Sequence, residues 1–217
     1  NWTTPLASLS DATVTLGTRT FAAGVPYNLV VWTSNPNNTQ DSFTGNDSLV
    51  ATLQASLEGI YTIGGVNPDY PTFAAAVSDL NQYGVCGPIV FNVRPGTYNE
   101  RVDITSVVGA SAINTVTFQS ETRDRADVLL TYTSNSTGDN GVLNFGGAEF
   151  VTFRDMTIRN GATGTYCQVV NMGSSTDCTV EGCDLIGPTV NTTSNYAAVV
   201  YGYGSNNHRT TIRNCNI

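Results

Sequence analysis

The apolar positions near the C-terminal end of the chain repeat three times. Residues 152–158, 179–185 and 211–217 each begin with threonine, carry an apolar residue second and a methionine or cysteine fifth, and end on an aliphatic residue. The copies begin 27 and 32 residues apart, a period typical of units that bury their apolar side only by stacking on the next unit. This pattern predicts successive rungs of a β-solenoid.

Alternation within these rungs predicts which side chains share a face. Because successive side chains of a strand point to opposite faces, the fifth and seventh residues of each rung face the same way. They should form one structural ladder that runs from Met156 and Ile158 through Cys183 and Leu185 to Cys215 and Ile217. We expect the three sulfur-containing residues to occupy one buried column.

The N-terminal residues 1–57 show a different pattern. They contain three or four strand-like runs, the clearest at 12–16, 27–32 and 48–53. A complete immunoglobulin-like sandwich has about seven strands. We therefore interpret this part as the C-terminal portion of an Ig-like sandwich, which residues before Asn1 would complete.

A linker and one helix are predicted over residues 58–88. Within this stretch, apolar residues recur at helical spacing at Phe73, Ala76, Val77 and Leu80. Thr72 can cap the start of the helix, and Gly84 suits its end. A single amphipathic helix in front of a solenoid is expected to plug the open apolar end. Residues 89–217 would then form the first turns of the solenoid, which we expect to continue beyond Ile217 because the last rung has no closing cap.

Composition agrees with an all-β extracellular protein. The 217-residue chain has no lysine, 12% charged residues and a formal net charge of −8. Nine arginines scattered among 17 acidic residues do not make the basic surface that nucleic acid requires, so we expect no nucleic-acid partner. The chain has no apolar run of about 18 residues, so no membrane span is expected. Its first residues lack the basic and apolar segments of a signal peptide, which suggests a mature chain or a piece.

Several short segments carry a family resemblance. Residues 70–77 and residues 87–100, which include Arg-Pro-Gly-Thr-Tyr-Asn-Glu, resemble the opening of pectin-esterase-like and pectate-lyase-like right-handed parallel β-helices. The Tyr-Thr-Ile-Gly-Gly of residues 61–65, together with the strands before it, is similar to repeat-rich secreted surface proteins of the Bacteroidetes. In those proteins an Ig-like module precedes such a segment. The resemblance implies a cell-surface location, the type IX secretion machinery as a partner, and O-glycosylation at Ser48.

Three further segments match the acceptor pattern for N-glycosylation, Asn-x-Ser/Thr. They begin at Asn46, Asn135 and Asn191. Such sites would matter only if the chain followed a eukaryotic secretory route.

The resemblance also implies a test for catalysis. Pectin esterases use an aspartate nucleophile, a second aspartate as general acid/base, glutamines that hold the oxyanion, and an arginine. Gln168 stands where such an enzyme has an oxyanion glutamine. The family's next glutamine and acid are replaced within residues 187–189, Gly-Pro-Thr, and the nucleophile would follow Ile217. We predict no catalysis by the residues present.

A lyase or a metal site finds little support in the sequence. A lyase would need a basic residue and several carboxylates around Ca²⁺. Asp155, Glu181 and Asn214 could form a polar stack beside the apolar ladder, although outward polar residues on solvent-facing strands explain the same pattern. The single histidine, His208, lies in a turn-like segment. We expect neither a cofactor nor a metal; Ca²⁺ is compatible with the composition but has no motif.

The five cysteines lack the paired spacing of a metal site. Cys183 and Cys215 fall at a core position of their rungs and are interpreted as thiols. Cys167 and Cys178 lie 11 residues apart. In an oxidising exterior they could instead form a disulfide, and the sequence leaves both states open.

Tyr196, Tyr201 and Tyr203, with Gln168, are the candidate binding residues. Tyrosine is amphipathic and suits stacking on sugar rings. The alternative is a strand in which Val199 and Tyr201 simply pack against a neighbour, and the sequence favours both equally.

These patterns lead to one functional hypothesis and two alternatives. We expect a segment of a secreted cell-surface protein for adhesion or display, which binds glycans or other surface components without catalysis. The alternatives are a polysaccharide-active enzyme of the pectin esterase or lyase type, with catalytic residues beyond Ile217, and a structural stalk.

Overall fold

The computed structural model describes residues 13, 15, 17–22, 25–34, 42–189, 194–203 and 207–217. The chain divides into two compact units, Asn1–Ala55 and Ser56–Ile217. Three sequence predictions fall outside the described residues, at least in part. They are the strand over 12–16, and the Asn46 side chain and Asn191 as glycosylation sites.

The first unit contains one two-stranded antiparallel sheet among its described residues. Strand β1 (Pro26–Trp32) pairs with β2 (Ser48–Gln54), and a short 3-10 turn at Thr44–Asn46 precedes β2. A lone pair of strands is shared by many folds, so the Ig-like assignment stays a prediction.

The second unit is built from short parallel strands and one helix. In its first half, β3 (Leu57–Ile63), α1 (Phe73–Tyr83), β4 (Val85–Val93), β5 (Gly96–Asn99), β6 (Val102–Ile104), β7 (Val116–Ser120), β8 (Val128–Tyr132) and β9 (Leu143–Phe145) follow in chain order. The second half contains β10 (Val151–Arg154), β11 (Thr157–Asn160), β12 (Val170–Asn171), β13 (Thr179–Glu181), β14 (Asp184–Ile186), β15 (Val200–Tyr201) and β16 (Thr211–Arg213).

These strands form three sheets that the chain visits in rotation. Sheet 1 has the order β16-β13-β10-β7-β4-β3, sheet 2 the order β14-β11-β8-β5, and sheet 3 the order β15-β12-β9-β6. All pairings within the three sheets are parallel. Each turn from β4 onward adds one strand to each sheet, which is a parallel β-helix. Its right-handed sense stays a prediction, in line with the strong preference of parallel crossovers.

The rungs recognised in the sequence stack in register. Thr152 pairs with Thr179, which pairs with Thr211, and Ile158 pairs with Leu185. Of the ladder, Met156, Ile158 and Cys183 are fully buried, Leu185 is 2% exposed, and Cys215 packs partly buried against the core. Ile217 differs from the expected burial at 78% exposure, because no described strand stacks on its outer side.

Aromatic rings fill much of the core behind sheet 1. Phe91, Phe118 and Phe153 come from three successive strands and stack with centroids 4.6 Å apart at both steps. Offset or stacked aromatic pairs add to the free energy gained by burying the rings alone. The parallel register therefore stacks phenylalanine on phenylalanine from strand to strand in the core.

Helix α1 is present where the apolar spacing predicts it. The Thr72 hydroxyl accepts a hydrogen bond from the Ala75 amide at 3.1 Å, and Gly84 ends the helix with φ of 64°. In chain order the helix lies between β3 and β4, which are adjacent strands of sheet 1. It takes the place of the strands that a full turn of the coil would add to sheets 2 and 3. Its Phe73 ring contacts Tyr98 of β5 edge-on at 5.3 Å. The helix thus covers the first strands of those sheets.

The predicted linker over residues 58–88 is more ordered than the sequence suggested. Most of β3 and the start of β4 lie within it, and the two strands pair in parallel with one irregularity between Leu57 and Gly59. The strand ends at Ile63, directly before Gly64 and Gly65. It was not predicted because its apolar residues do not alternate strictly: Ile60 and Tyr61 are adjacent, and Gly59 interrupts the run.

The polar stack considered for Asp155, Glu181 and Asn214 is not formed, because Glu181 is offset by one position from the other two residues. In the strand register, Glu181 of β13 lies opposite Arg154 of β10 and opposite Arg213 of β16. Asp155 and Asn214 lie at a corner of the coil in the left-handed region, with φ of 57° and 55°, at the level of Gly182. The outward polar residues are therefore partners in ion pairs, such as Arg213 to Glu181 at 2.9 Å.

All five cysteines are free thiols, so the disulfide considered for Cys167 and Cys178 is not formed. Both of these residues are buried, as is Cys183. Burial raises the pKa of Cys178 to about 11 and that of Cys183 to about 12. These thiols behave as small apolar core residues.

Candidate binding site

A pocket of about 230 Å³ opens beside the last strands of sheet 3. Its walls come from three successive turns of the coil and contain amide, hydroxyl and aromatic side chains. The lining residues are Thr137, Asn140, Gln168, Asn171, Tyr196, Tyr201 and Tyr203.

Sheet 3 sets the spacing of the pocket's floor. Asn171 of β12 pairs with Tyr201 of β15 on one side and with Asn144 of β9 on the other. Val170 is buried in the core and Val200 packs against it, so strand alternation turns their neighbours Asn171 and Tyr201 outward. Adjacent parallel strands lie about 4.8 Å apart, which brings the two side chains together.

A capped turn positions Thr137 at the rim. The Ser136 hydroxyl and amide donate to Asp139 Oδ1 at 2.8 Å and 2.7 Å, which closes a 3-10 turn over Thr137–Asp139. Burial alone would raise the pKa of Asp139, but the hydrogen bonds from Ser136 and Asn135 outweigh it and hold that pKa below its usual value. The carboxylate is thus occupied in holding the turn.

Asn140 ties two sides of the pocket together. Its Oδ1 accepts from the Gln168 backbone amide at 3.0 Å, and its Nδ2 donates to the Tyr196 carbonyl at 2.9 Å. Asn140 and Gln168 are 28 residues apart, and Asn140 and Tyr196 are 56 residues apart. One side chain therefore links three successive turns, and it is only 7% exposed.

Gln168 is fixed by its own hydrogen bonds. It is 2% exposed, and its Nε2 donates to the Asn195 carbonyl at 2.9 Å. Its Oε1 accepts from Asn171 Nδ2 at 3.4 Å, while Asn171 Oδ1 accepts from the Gly173 amide at 3.0 Å. Beneath the pocket, the buried Asn160 donates to the Gln168 carbonyl at 2.8 Å. This network holds the amide groups in place before any ligand binds.

The tyrosines supply the open wall. The rings of Tyr201 and Tyr203 stack with centroids 5.6 Å apart and planes inclined by 25°. Asn195 Nδ2 donates to the Tyr201 hydroxyl at 3.0 Å, so the hydroxyl's own proton is not used in that bond. Tyr203 is 54% exposed and Tyr196 is 40% exposed. Each can present apolar ring surface to a ligand.

Gly173 makes room for Tyr203. A Cβ placed on Gly173 would lie 2.5 Å from Tyr203 Cε1, closer than van der Waals contact allows. The ring therefore lies against bare backbone. Any larger residue at position 173 would push Tyr203 away from its stack with Tyr201.

The structure brings the four sequence-predicted binding residues to one place. Gln168, Tyr196, Tyr201 and Tyr203 all line the pocket. The lining residues Thr137, Asn140 and Asn171 were not predicted from the sequence. The equal 28-residue spacing from Asn140 to Gln168 to Tyr196 was a usable signal, because residues one turn apart lie side by side in a β-helix. Whether these residues bind a ligand stays a prediction.

The other predicted sites lie elsewhere. Ser48 is exposed on β2 in the first unit. His208 forms an isolated parallel bridge with Thr176. Among the described residues, no group of three or more His, Cys, Asp or Glu side chains could hold a metal ion. In the same part of the chain, no helix has the length and apolar character that crossing a membrane requires.

The seven described residues that line the pocket include no carboxylate and no other charged side chain. Their only titratable side chains are three tyrosines, none of which has a carboxylate or histidine partner in that lining. Gln168 Nε2 can donate two hydrogen bonds and gives one to the Asn195 carbonyl, but the side chain is 2% exposed and so offers little access to an oxyanion. The described arrangement suits binding through stacking and hydrogen bonds.

Comparison with known proteins adds a structural likeness. No protein-family model matches the chain, and no curated protein matches it significantly. The chain is similar to two crystal structures of the pectin methylesterase from Aspergillus niger, one deglycosylated and one penultimately deglycosylated with an N-acetylglucosamine stub. Each has 16% sequence identity and a TM-score of 0.44, and the match covers 74% or 75% of this chain. The chain spans 57% of the length of that enzyme.

Proposed function

We propose that this chain is part of a secreted cell-surface β-helix protein that binds a glycan in the sheet 3 pocket, without catalysis by the described residues. One observation carries the proposal. Gln168, Tyr196, Tyr201 and Tyr203 converge on one preformed pocket, whose described lining is aromatic, amide and hydroxyl in character and uncharged.

The chemistry of the pocket matches that of a sugar ring. A pyranose has apolar C–H faces and a rim of hydroxyls, and tyrosine rings with adjacent amides offer surfaces for both. Ligand sites combine such apolar surface with a few fixed polar groups. Because Asn140 and Asn160 already hold the amides in place, little conformational entropy is lost on binding.

The enzyme alternative is supported by Gln168, which the family resemblance places at an oxyanion position and which lines the pocket. A pectin esterase or lyase would require carboxylates or a base from residues beyond Ile217. The structural stalk is the remaining alternative, in which the pocket has no ligand. Export by the type IX system, O-glycosylation at Ser48 and a bacterial cell-surface location belong to this proposal as consequences of the Bacteroidetes resemblance.

A glycan array followed by calorimetry on the glycans that bind would test the proposal. Replacing Tyr203 with alanine should weaken binding about three- to tenfold, as expected for loss of one aromatic contact. Tyr83→Ala, which removes a tyrosine from the end of α1, is the matched control and should bind normally. Release of methanol or unsaturated uronates from pectin would favour the enzyme, and binding to no glycan would favour the stalk.

A further inference from the structure

Most arginines of this protein form ion pairs with Asp and Glu side chains of the same chain. Among the residues that the structure describes, seven of the nine arginines make such pairs. The pairs are Arg94–Glu121, Arg101–Asp103, Arg123–Asp155, Arg125–Asp184, Arg154–Asp155, Arg209–Asp177 and Arg213–Glu181. Of the other two, Arg159 is exposed on sheet 2 and Arg19 belongs to the first unit. The chain has no lysine, and none of the described cationic side chains lines the pocket.

Arg101 is the arginine tied to the pocket's rim. Its Nη1 donates to the Gly138 carbonyl at 2.8 Å, next to the lining residue Thr137. Its Nη2 lies 2.9 Å from Asp103 Oδ1, so its charge is balanced where it stands. Asp139, whose carboxylate closes the turn over Thr137, adds negative charge near the same rim, in a chain whose net charge is −8.

From this charge arrangement we propose that the pocket selects uncharged sugar residues and rejects acidic ones such as uronates. The proposal rests on the glycan-binding function proposed above and names its ligand class. A carboxylate that enters the pocket would lose part of its hydration without gaining a cationic partner from the described lining, which is unfavourable. The hydroxyls of a neutral sugar instead find amide partners at Asn171 and beside Gln168. The pocket would therefore select against acidic sugars because its described lining has no cation, and in favour of neutral sugars because its amides can pair with hydroxyls.

The experiment uses pairs of oligosaccharides that differ at C6, where one member is neutral and the other is acidic. One pair is fully methyl-esterified and free-acid oligogalacturonate, and others are neutral oligosaccharides with their C6-oxidised uronate forms. We expect neutral members to bind and their acidic partners to bind about tenfold more weakly or worse. Equal or tighter binding of the acidic member would overturn the selectivity alone. Failure of every member to bind would overturn the glycan-binding function itself.

A variant that adds a cation sharpens the test. Thr137 is exposed at the rim, so Thr137→Arg should fold normally and add a cation beside the pocket. Because Thr137 is itself a lining residue, the readout is the ratio of the two affinities, which should shift about fivefold towards the acidic member. Ala112→Arg adds the same charge at an exposed position that is not a lining residue and should change neither. If Ala112→Arg gave the same gain as Thr137→Arg, net charge and not the pocket would control selectivity.

Discussion

The rings of Phe118 and Phe153 stack face to face, with centroids 4.6 Å apart and planes inclined by 14°. The parallel register of β7 and β10 pairs the two residues directly. Both side chains are fully buried. Phe91 extends the stack by a further 4.6 Å on the other side of Phe118. Because the register is the same from turn to turn, phenylalanines at equivalent positions of successive strands form a continuous aromatic column.

Removing the middle ring should weaken the fold strongly. Phe118→Ala takes away a buried side chain with a ring on each side, and such changes cost about 3–5 kcal/mol. Chemical denaturation followed by circular dichroism would measure the loss in the free energy of unfolding. Thr117→Ala, on the opposite face of the same strand, should change it by less than about 0.5 kcal/mol. Similar losses for the two variants would contradict the stacked core.

Glu100 should stabilise helix α1 from outside the helix. Its carboxylate accepts from the amides of Phe73 at 3.2 Å and Ala74 at 2.9 Å, two of the unpaired donors at the helix start. We expect Glu100→Ala to lower the free energy of unfolding by about 1 kcal/mol. The exposed Glu149 gives a control, since Glu149→Ala removes the same charge away from any helix end. An unchanged midpoint for Glu100→Ala would show that the carboxylate does not cap the helix.

Gly182 should resist substitution because of its place at a corner of the coil. Its φ is 63°, and an added Cβ would lie 2.8 Å from Asp155 Oδ1. Left-handed backbone costs most residues about 1–2 kcal/mol, so Gly182→Ala should lower stability by about that amount. Gly164→Ala is the control, because position 164 has open space around it and no positive φ. Equal melting temperatures for the two variants would count against the strained corner.

The thiols should differ sharply in reactivity. Cys86 is exposed, whereas Cys167, Cys178 and Cys183 are buried. Burial raises the pKa of Cys178 to about 11 and of Cys183 to about 12, so at neutral pH neither forms much of the reactive thiolate.

A disulfide-exchange reagent should therefore label Cys86 first in the native protein, although burial and the charge of Glu58 raise its pKa as well. The fast phase should disappear in Cys86→Ser, and the buried thiols should react only on unfolding. Recovery of a peptide linked through Cys167 and Cys178 from native protein would refute the free-thiol state.

The helix and the rungs could be predicted because their signals are local. Phe73 and Leu80 lie on one face of a helix by spacing alone, and Thr72 and Gly84 bound it by their own backbone preferences. The Pro-Gly-Thr-Tyr-Asn-Glu motif was harder to interpret. The structure shows Tyr98 donating to the Arg94 carbonyl at 2.8 Å and Glu100 capping α1, which gives the motif a structural role.

The lining of the sheet 3 pocket was predicted in part. Tyr196, Tyr201 and Tyr203 stood out because tyrosine is amphipathic and suits stacking on sugar rings. Asn140 did not stand out, since its importance comes from reaching Tyr196 across two turns of the coil. The one-residue error at Glu181 has a related cause, because a strand pattern gives no information on which residue takes the left-handed corner.

Side-chain alternation and capping signals were enough to predict strands that stack as a coil with a helix near its start, because both depend on neighbours along the chain. Which polar residues meet depends instead on the folded arrangement. The loops between rungs differ in length, so residues far apart in sequence share a pocket through a register that hydrogen bonds between turns establish.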